Sequence, residues 1–355
     1  MNRDFRFQPL NVLEALGITP VTSVTDEEIW FDLLTPDTRT LLGDILDFTR
    51  GTRDTVEGAF PGDRVSNLNN HLLYGGQRGF VRMPYNETIY GTTNGAFVVK
   101  RDGVKVKVIG WFGDYKTGNA ELVFMTALRD RRFDGTRRAN DTALLDFEFD
   151  DPQYNSPLSI DGKPINASAV ELSIYCFSPG SHVVETADDA EFKLFVEKPF
   201  EFLDRPELFL HFFKRVWKIK CSPGQTSAPI RDVGQLQLGN SARLAGKLGY
   251  DFIQGAPSYY HTAKWMIRFG YDYVDPAQAK IIQDLDDGIR RIGATGIALT
   301  PNQSSWVCIL QSLCHDLIPE ELNMHGPKWP QDNIGQQNLW VYQALHEGAK
   351  KLFPK

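Results

Sequence analysis

The stretch RDVGQLQLGNSARLAGKLGYDFIQGAPSYYHTAKWMIRFGYDYVD, residues 231–275, decides the fold class. Gly234 to Leu248 reads as a helix, Tyr250 to Gln254 as a strand, Ser258 to Phe269 as a second helix and Gly270 to Asp275 as a second strand. Helix and strand alternating over such short distances make layers of an α/β sandwich. Immediately upstream the same alternation is expected, with ELFLHFF (207–213) as a short helix and RVWKIKC (215–221) as a strand.

Working outward, the middle of the chain reads as sheet. In GAFVVKRDGVKVKVIGWF (95–112), two β-rich runs flank Asp102-Gly103, a dipeptide that accepts the positive φ of a tight hairpin turn. Further strands are expected at 120–128, 143–150, 170–177 and 191–203, each apolar or alternating and rich in β-branched and aromatic residues. Residues 26–50 read as helical, with Thr35 as N-cap and Pro36 at the first helical position. From Pro276 onward helices dominate, including 277–293 and 338–353. The expected fold is mixed α+β and α/β: a mixed central sheet with helical additions at both ends. Its expected segments are 1–94 helix and loop, 95–164 β-rich, 165–275 an α/β core, and 276–355 a helical extension.

Residues 214–275 resemble the second half of the GNAT superfamily, the acyl-CoA-dependent N-acyltransferases, in their order of strand, turn, helix, strand, helix, strand. In that family the turn runs Arg or Gln, two residues, Gly, one residue, Gly or Ala, and its backbone N–H groups bind the cofactor pyrophosphate. Here the turn is Arg231-Asp-Val-Gly234-Gln235-Leu236. A pyrophosphate needs several N–H donors pointing one way, and the open first turn of a helix supplies them together with its dipole. Gly249 stands where the family often ends this helix, and Gly270-Tyr271 where it usually writes Gly-Phe.

The sequence departs from the family pattern twice. Leu236 replaces a small residue, and Met266 occupies the place of the tyrosine that many members use as a general acid. Tyr259 and Tyr260, with His261 as a second candidate, are the substitutes the resemblance offers for proton donation to a departing thiolate, and Glu121 is its base on a central strand. The resemblance implies an acyl-CoA-type co-substrate, a small-molecule or protein amine as acceptor, and no metal. The alternative is a non-catalytic GNAT-like binding or structural assembly protein that has lost the chemistry, for which an oligomer is the expected form.

Charge and composition narrow the rest. The chain has 355 residues, 42% of them hydrophobic, and 38 Lys and Arg against 45 Asp and Glu give a net charge of −7. That balance argues against a surface built wholesale for nucleic acid or anionic membrane. A local exception is the cluster Arg129, Arg131, Arg132, Arg137 and Arg138, a density suited to phosphate and the one place where nucleic acid is considered. Asp146, Glu148 and Asp150 share one face of an expected strand, and Asp284, Asp286 and Asp287 one exposed helix region; both read as solvated acidic faces. The four cysteines form no CxxC pair, the seven histidines no zinc pattern, and no apolar run is long enough for a signal peptide or membrane span. A reduced, cytoplasmic setting is expected.

Overall fold

In the computed structural model of the chain, the residues described are 19, 21–43, 54–56, 86–92, 95–101, 105–114, 119–130, 159–160, 163–164, 168–182, 189–219, 221–330 and 339–351. The strands are β1 (Asp54–Val56), β2 (Asn86–Thr92), β3 (Gly95–Arg101), β4 (Lys105–Asp114), β5 (Asn119–Arg129), β6 (Ser159–Ile160), β7 (Lys163–Pro164), β8 (Ala169–His182), β9 (Ser227–Pro229), β10 (Phe252–Gly255), β11 (Asp272–Tyr273) and β12 (Val341–Ala344). The longer helices are α1 (Pro36–Leu42), α2 (Ala190–Glu197), α3 (Pro206–Ile219), α4 (Val233–Lys247), α5 (Tyr260–Arg268), α6 (Pro276–Ala294) and α7 (Pro301–Leu310). The fold is mixed α/β. Among the described residues no helix is long and apolar enough to cross a membrane.

The chain divides into two compact units. The first comprises Met1–Pro179, Pro229–Gln254 and Gln343–Lys355. Its sheet runs β1-β2-β3-β4-β5-β8-β10. Neighbours are antiparallel up to β8, and β8 and β10 are parallel. The β3–β4 hairpin forms as the sequence predicts, with Arg101 opposite Val106; its turn residues 102–104 lie outside the described residues. The expected strand at 143–150, with its three carboxylates, also lies outside them.

Strand alternation gives this sheet two faces. Val106, Val108, Thr126, Leu128 and Leu172 share one, and α4 is held against it. Thr126 Oγ1 donates to Gln237 Oε1 of α4 at 2.9 Å, and the Gln237 amide donates onward to Leu33 O and Thr38 Oγ1, both at 3.1 Å. Asn240, one turn later, donates to Leu33 O at 3.0 Å. The helix expected over 26–50 is broken at Leu34–Thr35, and Leu33 O, released by the break, is the acceptor these two amides share. Each buried amide is thereby satisfied, which a buried polar group requires. Immediately before β10, Asp251 accepts from Ser168 N and Oγ, both at 2.8 Å, and from His346 Nε2 at 2.9 Å. Burial works to raise the Asp251 pKa, but these three donors hold it below the ordinary carboxylate value.

The second unit, Gly180–Ala228 and Gly255–Tyr342, is built on aromatic packing. Residues 191–203, expected as a strand, form α2 and a 3-10 turn, Pro199–Phe202. Asp189 caps α2 by accepting from Phe192 N at 2.9 Å, and Phe192, Phe195 and Val196 fall on one buried helical stripe. The strand expected at 215–221 is likewise corrected, because α3 continues to Ile219 with Phe209, Phe212, Phe213 and Val216 at helical spacing. Phe195 is the hub: its ring lies 5.2–5.4 Å from those of Phe202, Phe209, Phe212 and Trp306. Pairs of this kind contribute about 0.5–1.5 kcal/mol each beyond the area they bury.

The helix expected over 338–353 is also replaced. Val341 and Tyr342 pair antiparallel with Tyr273 and Asp272 as the start of β12, and a short helix, Glu347–Lys350, follows in the first unit. Helices α6 and α7 bear out the helical reading after Pro276. Thr300 and Gln303 form a reciprocal capping box at the start of α7.

Candidate functional site

The entrance to α4 carries the turn singled out in the sequence. The strand before it is not 215–221 but the three-residue β9, which pairs with β8, and Ile230 N donates to Cys176 O of β8 at 3.4 Å. Asp232 adopts the left-handed conformation, φ 65°, and α4 begins at Val233. No side chain caps this helix, and its first turn holds no acidic residue. Leu236 N closes the first turn onto Asp232 O at 3.1 Å. The N–H groups of Val233, Gly234 and Gln235 precede the first intrahelical bond, so α4 presents an open N-terminal end. Val233 is buried and anchors the turn, Gly234 and Leu236 are half-buried, and Gln235 is exposed. Arg231 is extended into solvent, its side chain 93% exposed and 3.6 Å from the Asp232 carboxylate.

β10 pairs in parallel with β8 over only Ala169–Glu171, after which β8 runs on to His182. β9 and β10 both take β8 as partner and, among the described residues, do not pair with each other.

The other face of the first unit's sheet holds a row of buried polar groups that the sequence reading passed over. Lys105 of β4 lies opposite Arg129 of β5, Arg129 opposite Glu171 of β8, and Glu171 opposite Gln254 of β10. Lys107 stands one step further along the same face of β4. Lys105, Lys107 and Arg129 are each only 4% exposed and Glu171 1%. Lysine, arginine and glutamate are almost never buried this far unless they are paired. Arg129 is therefore a buried strand residue and not, as expected, part of an exposed arginine cluster; Arg131, Arg132, Arg137 and Arg138 lie outside the described residues. Glu121 lies on β5 opposite Phe112, and its side chain lies outside what is described.

In the second unit, Tyr259 and Tyr260 head α5. Tyr259 OH donates to Glu197 O at 2.7 Å, and its ring is stacked between Phe200 and His261. Gly224, at φ 75°, passes so close that a Cβ there would sit 2.5 Å from the Tyr259 ring, so only glycine fits this crossing. Tyr260 OH donates to Asp286 Oδ1 at 2.5 Å, while Lys264 Nζ donates to Asp286 Oδ2 at 2.8 Å. Asp286 thus leaves the exposed acidic helix face expected of it and serves as a half-buried acceptor. Burial raises both phenol pKa values well above the ordinary tyrosine value, and acidic neighbours raise them further. His261 Nδ1 lies 2.9 Å from Ser305 Oγ, and burial lowers its pKa to about 4, which keeps the ring neutral at pH 7. Met266, where the family carries its tyrosine, is buried.

Among the described residues no group of three or more His, Cys, Asp or Glu is placed to hold a metal ion. The buried thiols are poor nucleophiles, since burial pushes Cys176 up to about 12 and Cys221 up to about 11. Comparisons of the chain with protein-family models, with curated proteins and with solved structures yield no match.

Proposed function

We propose that the chain is an N-acyltransferase that moves an acyl group from an acyl-CoA-type thioester to an amine. The observation that carries this reading is the open N-terminus of α4, entered through the left-handed Asp232 directly after a strand paired with β8. The order β9, turn, α4, β10, α5, β11 over 227–273 supports it, being the order the resemblance requires. So does the short parallel pairing of β8 and β10, which leaves most of β8 beyond Glu171 without β10 as a neighbour.

Each role follows from local chemistry. The N–H groups of Val233, Gly234 and Gln235 receive the pyrophosphate oxygens, with Arg231 free to swing toward them and add charge. Gly234 permits the close approach, and Leu236 borders it with a side chain larger than the family's usual one. An ordinary thiol has a pKa of about 8.5, so the leaving thiolate is stable enough to depart without a strong acid. Tyr259 and Tyr260 hold their protons far more tightly than such a thiol, and donation from either one runs uphill in this state. The base that frees the amine is assigned to Glu121 on β5.

A thiol-release assay with acetyl-CoA and longer acyl-CoAs against a panel of primary amines tests the chemistry. Release that depends on both donor and amine is expected. Release no faster than without protein, for every pair, would overturn catalysis and leave the second reading, an assembly protein on the same fold. Leu236 and Met266 favour that reading, and it requires a large assembly by size exclusion with light scattering together with no thioester affinity.

A further inference from the structure

We propose that His315 and His325 form a surface site for a divalent transition-metal ion, with Glu320 and Asn323 as the groups that orient their rings. The site lies in the second unit, on the segment that follows α7, and shares no residue with the α4 turn. It goes beyond the acyl transfer proposed above and does not depend on it.

Asn323 sets the arrangement. Its Nδ2 donates to His315 O at 3.2 Å and its Oδ1 accepts from His325 N at 2.9 Å, which fixes the amide in one orientation and ties the two histidines together. The same Oδ1 lies 3.3 Å from His315 Nδ1, and an acceptor there requires that nitrogen to carry the proton. Glu320 Oε1, 3.2 Å from His325 Nε2, likewise makes that nitrogen the donor. In the neutral rings the lone pairs are then left on His315 Nε2 and His325 Nδ1. A metal-ligating imidazole characteristically donates its other ring N–H to a carboxylate, a carbonyl or water, and both rings are held in this way. The rings lie 20° from parallel with their centres 6.3 Å apart. One ion bound at about 2.0–2.1 Å to a nitrogen of each joins rings whose centres are up to about 6.4 Å apart, so the pair is within reach. Both side chains are exposed, and the final turn of each toward the ion meets no packing. His325 keeps its place at φ 49°, a left-handed conformation that costs a non-glycine residue energy, and such outliers gather at functional sites.

Charge and ligand chemistry select the ion. Residues 315–327 contain Asp316, Glu320 and Glu321 and no Lys or Arg, so their field favours a cation. Arg291 reaches the segment, and its guanidinium is engaged with Met324 O at 3.2 Å. Among the described residues no third His, Cys, Asp or Glu is placed to complete the set, so water fills the remaining positions. Two imidazoles suit Cu²⁺, Ni²⁺ or Zn²⁺ ahead of the harder Mg²⁺ and Ca²⁺, with Cu²⁺ held most tightly.

Titration of the full chain with Cu²⁺ and with Zn²⁺, read by calorimetry, tests the site. Saturable binding is expected, tighter for Cu²⁺, and weakened at least tenfold both in His315→Gln and in His325→Asn, where asparagine tolerates the left-handed conformation. Glu320→Gln is expected to weaken binding by about tenfold or more through loss of an orienting partner, with the stoichiometry kept. His346→Gln, at an exposed histidine elsewhere, and Gly234→Asp, on the thioester turn, are expected to bind the ion as the parent does. Circular dichroism that matches the parent shows that a loss of affinity is not a loss of fold, and if either histidine variant fails this check the other is read in its place. Saturable binding of neither ion, affinity in the His315 and His325 variants equal to that of the parent, or an equal loss in His346→Gln would overturn the site.

Discussion

Replacing Trp306 by alanine is expected to lower the stability of the second unit by about 3–5 kcal/mol, the range for deleting a large buried aromatic side chain. Trp306 is fully buried, stacks on Phe195 at 5.2 Å, and donates Nε1–H to Cys221 O at 2.8 Å. The substitution leaves both a cavity beside the aromatic hub and an unsatisfied carbonyl. Trp306→Phe keeps the stack and loses the hydrogen bond, so its cost is expected to be smaller, about 1–3 kcal/mol. Urea unfolding followed by near-ultraviolet circular dichroism checks both. A Trp306→Ala midpoint equal to that of the parent would contradict the placement of this residue.

The second large effect is one of pH. His261 is held neutral in the fold, with its pKa lowered to about 4 from an ordinary value near 6.5. Between those two values the unfolded chain binds a proton that the folded chain does not, so stability falls as the pH is lowered through the window. The stabilisation is intact above about 6.5 and is lost by about 4, and the two and a half pH units amount to about 3 kcal/mol. Ser305, Thr262 and the Tyr259 ring surround the imidazole, and none of them carries a charge in this range. Asp189 and Asp251 have lowered pKa values and lose their contributions only at still lower pH. Urea midpoints for the parent and for His261→Gln at pH 7, 5.5 and 4.5 isolate the effect. The parent is expected to weaken relative to the variant as the pH falls across this range, while Glu197, whose pKa burial raises, acts in the opposite direction in both proteins; parallel profiles would exclude His261 as the cause.

How much of this was legible in the sequence depended on whether local pattern or tertiary packing decided each element. The β3–β4 hairpin was readable because Val98-Val99 and Val106 to Ile109 flank a turn dipeptide. α4 and α6 were readable because their apolar positions recur at helical spacing. The misreadings cluster where both periods fit. In 191–203 the apolar residues satisfy alternation and a helical stripe alike, and the arbiters were the Asp189 cap and Pro199. In 215–221 Val216 continues the stripe of Phe209, Phe212 and Phe213 with no breaker between them. β9 has three residues, one of them Pro229, and is recognisable only from its partner β8.

The candidate sites divide in the same way. The turn at 231–236 was readable as a helix start, because an N-terminus is a local feature. The polar row was not, because KVKV in β4 reads as a strand with a wet lysine face, and burial of that face is imposed by tertiary packing. Tyr259 and Tyr260 were legible as phenols at a helix head, whereas their engagement by Glu197 and Asp286 depends on residues 62 and 26 positions away.

Binding of acetyl-CoA by the full chain and by Gly234→Asp, measured by isothermal titration calorimetry, bears most directly on the central claim. A carboxylate introduced on the first turn of α4 repels pyrophosphate from the N–H groups that are to hold it. Saturable heat with the parent, and at least a hundredfold weaker binding with the variant, is the expected result. Absence of heat with acetyl-CoA and longer acyl-CoAs at millimolar concentration, or equal affinity in the two proteins, would contradict it.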